Sequence, residues 1–254
     1  MDINLPDSVD NAVKNLTDEP TKGIGTTLSD AWFLVFGGIT QAAQKRRMRY
    51  SFELEQYNRE LQGSVSNIPP EKLIEPDIQI TAQALENSKY CIESKELRKL
   101  FVNLISNSMN SDCTNIVHPS FAEIIKQMSP LDARILKSLN PGENFPLVDY
   151  VVETVNDHSY ETLLSNAFIP SFEEIELVNA SASISSLNRL GIVSFDTGSF
   201  ITNDDLYAPY RKTEFFQKLS AEILRYKPGQ KATFHKYLGH FTPLGMNFFE
   251  ACVK

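Results

Sequence analysis

The chain has 254 residues, 42% of them apolar and 10% aromatic, with 11 Gly and 13 Pro. That composition is enough for the core of one or two domains and excludes a disordered, collagen-like or low-complexity chain. Its 24 basic and 32 acidic residues leave a formal charge of −8, which opposes the phosphate attraction behind most non-specific nucleic-acid affinity and argues against a DNA binder working through its whole surface.

The start, Met1-Asp2-Ile3-Asn4-Leu5-Pro6, is acidic and turn-rich, with no basic stretch before an apolar run, so no secretory signal peptide is expected. From Gly23 to Ala43 the only charged residue is Asp30, and Ala31 to Ile39 is apolar on every side. A membrane-spanning helix needs about 20 apolar residues. This run is shorter, carries Thr26, Thr27 and Ser29 on one flank and breaks at Gly37-Gly38. The basic cluster Lys45, Arg46, Arg47 and Arg49 follows at once. Two readings stand side by side: a buried helix with a solvated exit, or a membrane-contacting helix in which Trp32, Phe33 and Phe36 meet lipid while the cluster holds anionic head groups. Tyr50, Leu54, Tyr57 and Leu61 then fall on one helical stripe, with Gly63 as its expected stop, and the stripe predicts packing against another helix of the same chain.

Prolines 69, 70 and 76 make the stretch from Ile68 to Asp77 a joint, because each removes a donor and pushes its predecessor toward extended geometry. Beyond it, Asp77 suits a helix start before Ile78, Ala82 and Leu85. Ser94 is expected to cap a second helix with Leu97, Leu100, Phe101, Leu104, Ile105 and Met109 on its apolar face. A third begins around His118-Pro119-Ser120 and turns Phe121, Ile124, Ile125 and Met128 inward. Cys113 and His118 are close in sequence, but no third residue is set to orient a thiol nucleophile, so His118 is read as a cap or loop ligand and no catalytic residue is assigned. His235 and His240, five apart, fall on different faces of a helix or a strand, so no metal is implied, and nothing calls for a cofactor. Three cysteines, Cys91, Cys113 and Cys252, with no C-x-x-C spacing fit a reducing, cytoplasmic setting.

Ser129-Pro130-Leu131-Asp132 opens a helix carrying Ile135, Leu136 and Leu139, which Asn140-Pro141-Gly142 ends. Ser181 to Leu190 reads as a short polar helix stopped by Gly191. Ile192 to Phe195 has strand composition, and a turn at Asp196-Thr197-Gly198 leads to Ser199-Phe200-Ile201, which predicts a hairpin. Helix, helix, hairpin is the order of a winged helix, whose recognition helix would expose Ser183, Ser185, Ser186, Asn188 and Arg189. One cation among these five is a weak supply for duplex DNA, and favours a winged helix used for protein contact. An inserted helix is read between Asp204 and Tyr226, a returning strand at Lys231 to Phe241, and a last helix with Phe248, Phe249 and Cys252.

The fold class that results is mainly α with a small β component. N-terminal amphipathic and apolar helices occupy 1–67, a helical domain follows the Pro-rich joint over 68–128, and a winged-helix-like domain with an inserted helix covers 129–254.

Pro69-Pro70-Glu71 through Pro76, then Phe101 to Met109 with its Asn107, and above all Val117-His118-Pro119-Ser120-Phe121 running on to Pro130, resemble the Abi-alpha family, from about Ser29 to the last helix. Members are bacterial proteins named for abortive infection, in which a phage-infected cell arrests or dies. The resemblance implies that antiviral role here and implies no reaction. The expectation is therefore a cytoplasmic, non-enzymatic component of phage defence that works through a protein partner or self-association. Two alternatives are a membrane-perturbing effector acting from the periphery of the inner membrane through residues 31–39 and the basic cluster, and a transcriptional regulator binding DNA through the winged helix.

Overall fold

The computed structural model describes residues 25–36, 44–172 and 175–254, with side chains from Leu28 in the first stretch and from Tyr50 in the second. The chain divides into two compact units, 1–130 with 247–254, and 131–246.

In the first unit α1 (Gly25–Phe36), α2 (Gln44–Ser66), α3 (Ile78–Ser88), α4 (Lys95–Ser108) and α5 (Phe121–Gln127) pack together, with α2 and α3 both against α4 and α1 against α3. The expected caps form: the Asp77 carboxylate accepts from the amides of Gln79 and Ile80, and the Ser94 hydroxyl from that of Leu97. The stripe on α2 buries Leu54, Tyr57 and Leu61. That helix runs three residues past Gly63, because Ser64 hydrogen-bonds Ser106 of α4 at 2.9 Å and tertiary packing outweighs glycine's weak helix propensity. A buried ion cluster ties α2 to α4. Arg98 makes two bonds to the Glu60 carboxylate, both 3.1 Å, one to Glu53 at 2.6 Å, and one to the carbonyl of Ile92.

The second unit is built on a four-stranded antiparallel sheet of order β2-β1-β4-β3, formed by β1 (Phe145–Thr154), β2 (Tyr160–Ala167), β3 (Val193–Asp196) and β4 (Gln230–Phe241). α6 (Pro130–Ser138) leads into it, α7 (Leu177–Arg189) packs against β2 and β3, and α8 (Ala208–Lys212) and α9 (Glu214–Tyr226) form the insertion before β4. Strand β4 reaches α10 (Pro243–Phe248) and a terminal π turn, Phe249–Val253.

The core of this sheet is unusually aromatic: Tyr150, Tyr207, Tyr210, Phe216 and Phe234 are buried together. Each buried phenol finds a carbonyl, Tyr150 that of Tyr210, Tyr207 that of Tyr237, and Tyr210 that of Pro146, so the rings are buried without stranding their hydroxyls. Burial pushes the Tyr150 phenol up to about 12.

The predicted hairpin is not formed, and a winged helix is not what the sheet shows. β3 pairs with β4, Val193 opposite Phe241, while Ile201 gives its amide to the Tyr207 hydroxyl and packs on the aromatic core. An apolar side chain drawn into that core removes 199–201 from the edge of β3. The hairpin that does form is β1–β2, and it separates the two helices, α6 and α7, read as a helix-turn-helix.

Candidate functional site

In the first unit the motif residues converge on one joint. Pro70–Lys72 forms a single 3₁₀ turn that contains Glu71 and follows Pro69, Pro76 is buried just before the Asp77 cap, and the amide of Ile74 then bonds the carbonyl of Met109 at the end of α4. Two asparagines one turn apart on α4 reach the terminal π turn. Asn103 donates to the carbonyl of Cys252 and Asn107 to that of Ala251, both at 2.9 Å. A π turn leaves carbonyls that a regular ladder would use, and side-chain amides are suited to meet them. Phe121, fully buried at the head of α5, meets Phe248 edge-on at 5.1 Å. His118 takes the loop role of the two expected of it, its Nδ1 accepting from the amide of Ser120, the N-cap residue of α5, at 3.1 Å with the Ser120 hydroxyl 2.8 Å away. Pro119 sits in the turn before α5, which begins at Phe121.

Cys113 and His118, adjacent in the sequence argument, are engaged separately: the Cys113 thiol bonds Asn107 Oδ1 at 3.6 Å. Burial, reinforced by the Asp112 and Glu250 carboxylates, pushes that thiol up, away from the thiolate a nucleophile needs. Replacing both Asn103 and Asn107 by alanine is expected to strip two buried carbonyls of their donors. It should lower stability by about 2–4 kcal/mol in urea denaturation, with early hydrogen exchange at the C-terminus.

The second unit carries a polar strip across one face of its sheet. The Tyr237 hydroxyl lies 2.9 Å from Asp149 Oδ1 and 2.7 Å from Asn166 Oδ1, and the Asn166 amide donates to the same carboxylate oxygen at 2.8 Å. Asn166 holds φ at +54° where β1 and β2 slip register, and its side-chain amide reaches Ser185 of α7. A bulge and a left-handed residue together re-aim one side chain, an arrangement common at functional sites. Burial first, then the charge and hydrogen bond of Asp149, pushes the Tyr237 phenol up, so it stays a donor.

His235 stands opposite Asp149 in the β1–β4 ladder and packs its ring edge-on against the exposed Tyr160 at 4.5 Å. Farther along, Glu153 joins His158, whose φ is +57°, and Lys231. None of these residues was singled out by sequence reasoning apart from His235, because β1 and β2 carry no motif and the β4 residues they meet lie more than 70 residues away. Among the described residues no three His, Cys, Asp or Glu side chains are placed to hold a metal ion.

The remaining sequence candidates are placed as follows. Ser183 of the supposed recognition helix is buried, Ser185 donates to the carbonyl of Ser181, and Ser186 donates to Asp132, leaving Asn188 and Arg189 as the exposed pair of the five. The exposure expected of that face is thus corrected: α7 turns its serines inward because it covers the sheet. At the N-terminal end Trp32 and Phe36 are fully buried against Tyr57, while Phe33 is exposed. This corrects the picture of Trp32 and Phe36 as lipid-facing, since they form the aromatic seam between α1 and α2. Lys45, Arg46, Arg47 and Arg49 open α2, and their side chains lie outside the described residues, as do 37–43 and hence the Gly37-Gly38 break.

Residues 49–252 match the family described as abortive infection alpha. The chain belongs to that family. The match begins at 49 and not near Ser29, so α1 and most of the basic cluster precede the part shared with other abortive infection alpha proteins. It takes in the Asn107 and His118 joint together with the whole polar strip. No curated protein and no solved structure matches the chain.

Proposed function

We propose that the protein is a component of bacterial phage defence of the abortive-infection type, acting inside the cell by association with a protein partner or a second copy of itself, and not by catalysis. The observation that carries the reading is membership of the abortive infection alpha family over 49–252. Two structural facts support the mode of action. Asn107, His118 and Phe121, on whose runs the resemblance was read, are engaged in holding the fold together, which gives them a role that needs no reaction. The strip of Tyr160, His235 and His158 presents rigid aromatic and hydrogen-bonding groups outward, the chemistry enriched at protein contacts. The three cysteines are free, in keeping with a reducing compartment.

Expression in a phage-sensitive host is expected to lower plaque number or to arrest infected cells early, and unchanged plaquing across a broad phage panel counts against the reading. A Tyr160→Ala, His235→Ala double variant should melt like the wild type and yet lose protection. Full protection by that variant would remove the strip from the mechanism.

A further inference from the structure

We propose that α1 is a strap that releases from α2 and α3 while the rest of the first unit stays folded, uncovering a face that the closed form hides.

The first unit is unevenly satisfied inside. On α4 the buried polar side chains have partners: Arg98 its two carboxylates, Asn103 the carbonyl of Cys252, Ser106 that of Asn103 and Ser108 that of Ile105. Around α1 they do not. Six side-chain groups are buried with no hydrogen-bond partner among the described residues, and five of them lie on α1, α2 and α3: Trp32 Nε1, the Tyr57 hydroxyl, Asn58 Nδ2, Gln62 Nε2 and Thr81 Oγ1. Trp32, Tyr57 and Thr81 are fully buried. The Trp32 and Tyr57 rings pack 5.4 Å apart, and Thr81 belongs to α3, against which α1 packs. The Tyr57 hydroxyl comes close to Ser88, whose own hydrogen goes to the carbonyl of Leu85, without completing a hydrogen bond. A buried indole N–H or phenol ordinarily finds a partner. Each one left bare weighs against the closed form, because water meets it in the open one.

Little in α1 itself offsets that cost. With 12 residues it is at the lower limit for a helix that persists alone in water, and it has no acid in its first turn and no base in its last. Its closure rests on burying Leu28, Ala31, Trp32, Val35 and Phe36, while Leu34 stays 82% exposed and gains little. α1 also precedes the stretch shared with the family, which begins at 49, whereas Tyr57 and Thr81 beneath it belong to that stretch. Segments that open ahead of the whole are those with few well-satisfied buried contacts. Release of α1 uncovers Tyr57 and the covered side of α3, returns Trp32, Tyr57 and Thr81 to water, and leaves the Arg98 cluster and the Asn103 and Asn107 contacts intact.

Trp32 is the one tryptophan of the chain, so tryptophan fluorescence reads the strap. In urea its emission should move to the red before the far-UV circular dichroism falls. Hydrogen exchange of the full chain, read by mass spectrometry, locates the opening: amides of α1 should be about a hundredfold less protected than those of α4 in the same unit. Tyr57→Phe and, separately, Thr81→Val remove an unpartnered polar atom and keep the shape, so each should raise the protection of α1 about tenfold. Trp32→Ala should leave α1 unprotected with α4 still protected. Equal protection of α1 and α4 in the wild type overturns the proposal, as does a Trp32 emission change that coincides with the loss of helix. Loss of α4 protection in Trp32→Ala overturns it too, because the strap would then be inseparable from the unit. So does an α1 that gains no protection from either isosteric variant.

Discussion

Arg98→Ala is expected to destabilise the first unit by about 3–5 kcal/mol, the usual cost of removing one partner of a buried ion cluster. The guanidinium is almost fully enclosed, and it meets two carboxylates and a carbonyl at once. Truncation leaves Glu53 and Glu60 of α2, themselves mostly covered, without the cation that bonds both of them. Urea denaturation of the wild type and variant measures the loss. A triple variant, Arg98→Met with Glu53→Gln and Glu60→Gln, should recover a large part of it, because the expense lies in unpaired buried charge and not in the absence of the pair.

The same cluster sets an acid limit. Burial pushes Glu60 up, but the Arg98 hydrogen bonds, with Gln56 and then the Arg98 charge, outweigh it and hold the carboxyl below its ordinary value. A folded-state value below the unfolded one gives stability that is present above the unfolded pKa and is lost as pH falls through the folded one. The wild type should therefore lose stability below about pH 4, and the triple variant should lose less over the same range. Parallel pH profiles would refute the assignment.

Gly245→Ala is expected to cost the second unit about 3 kcal/mol or more, at the upper end for overpacking. A Cβ on Gly245 would overlap the backbone carbonyl of Ile192, which cannot swing aside as a side chain could. That carbonyl already accepts from the Thr242 amide, and the Thr242 hydroxyl, donating to the carbonyl of Gly191, accepts from the Gly245 amide. One clash therefore strains the whole junction of α7, β3 and α10. Gly239→Ala supplies the control. Its Cβ would meet the Phe145 ring, a side chain able to shift, so the loss should be smaller. A thermal melt ranking Gly239→Ala as the worse variant would sink this account.

The helices of the first unit were legible because their signals are local. Asp77 and Ser94 cap where the next turn's amides need an acceptor, and the spacing of Tyr50, Leu54, Tyr57 and Leu61 marks a buried stripe whatever it packs against. The antiviral family was legible in the same way, through contiguous runs around Asn107 and His118. β4 and the insertion with Leu219 and Ile223 could also be read, and Gly191, at φ +75°, ends α7 as a C-terminal glycine should. The wing failed because strand composition names a strand without naming its neighbour. Ser199 to Ile201 is as good a local partner for β3 as β4 is, and the aromatic core outbids it.

What the sequence by itself determined is therefore the set of helices with their caps, the inward stripes and the family: properties fixed by residues within one or two turns of each other. Tertiary structure alone decided the order of the sheet and the meeting of Asp149 and Asn166, from the β1–β2 hairpin, with Tyr237, more than 70 residues farther along the chain. It also decided which side of α1 is core and which is surface. An apolar helix looks the same all round until its neighbours are in place, and a polar side chain far along the chain becomes a hydrogen-bond partner only when the sheet closes.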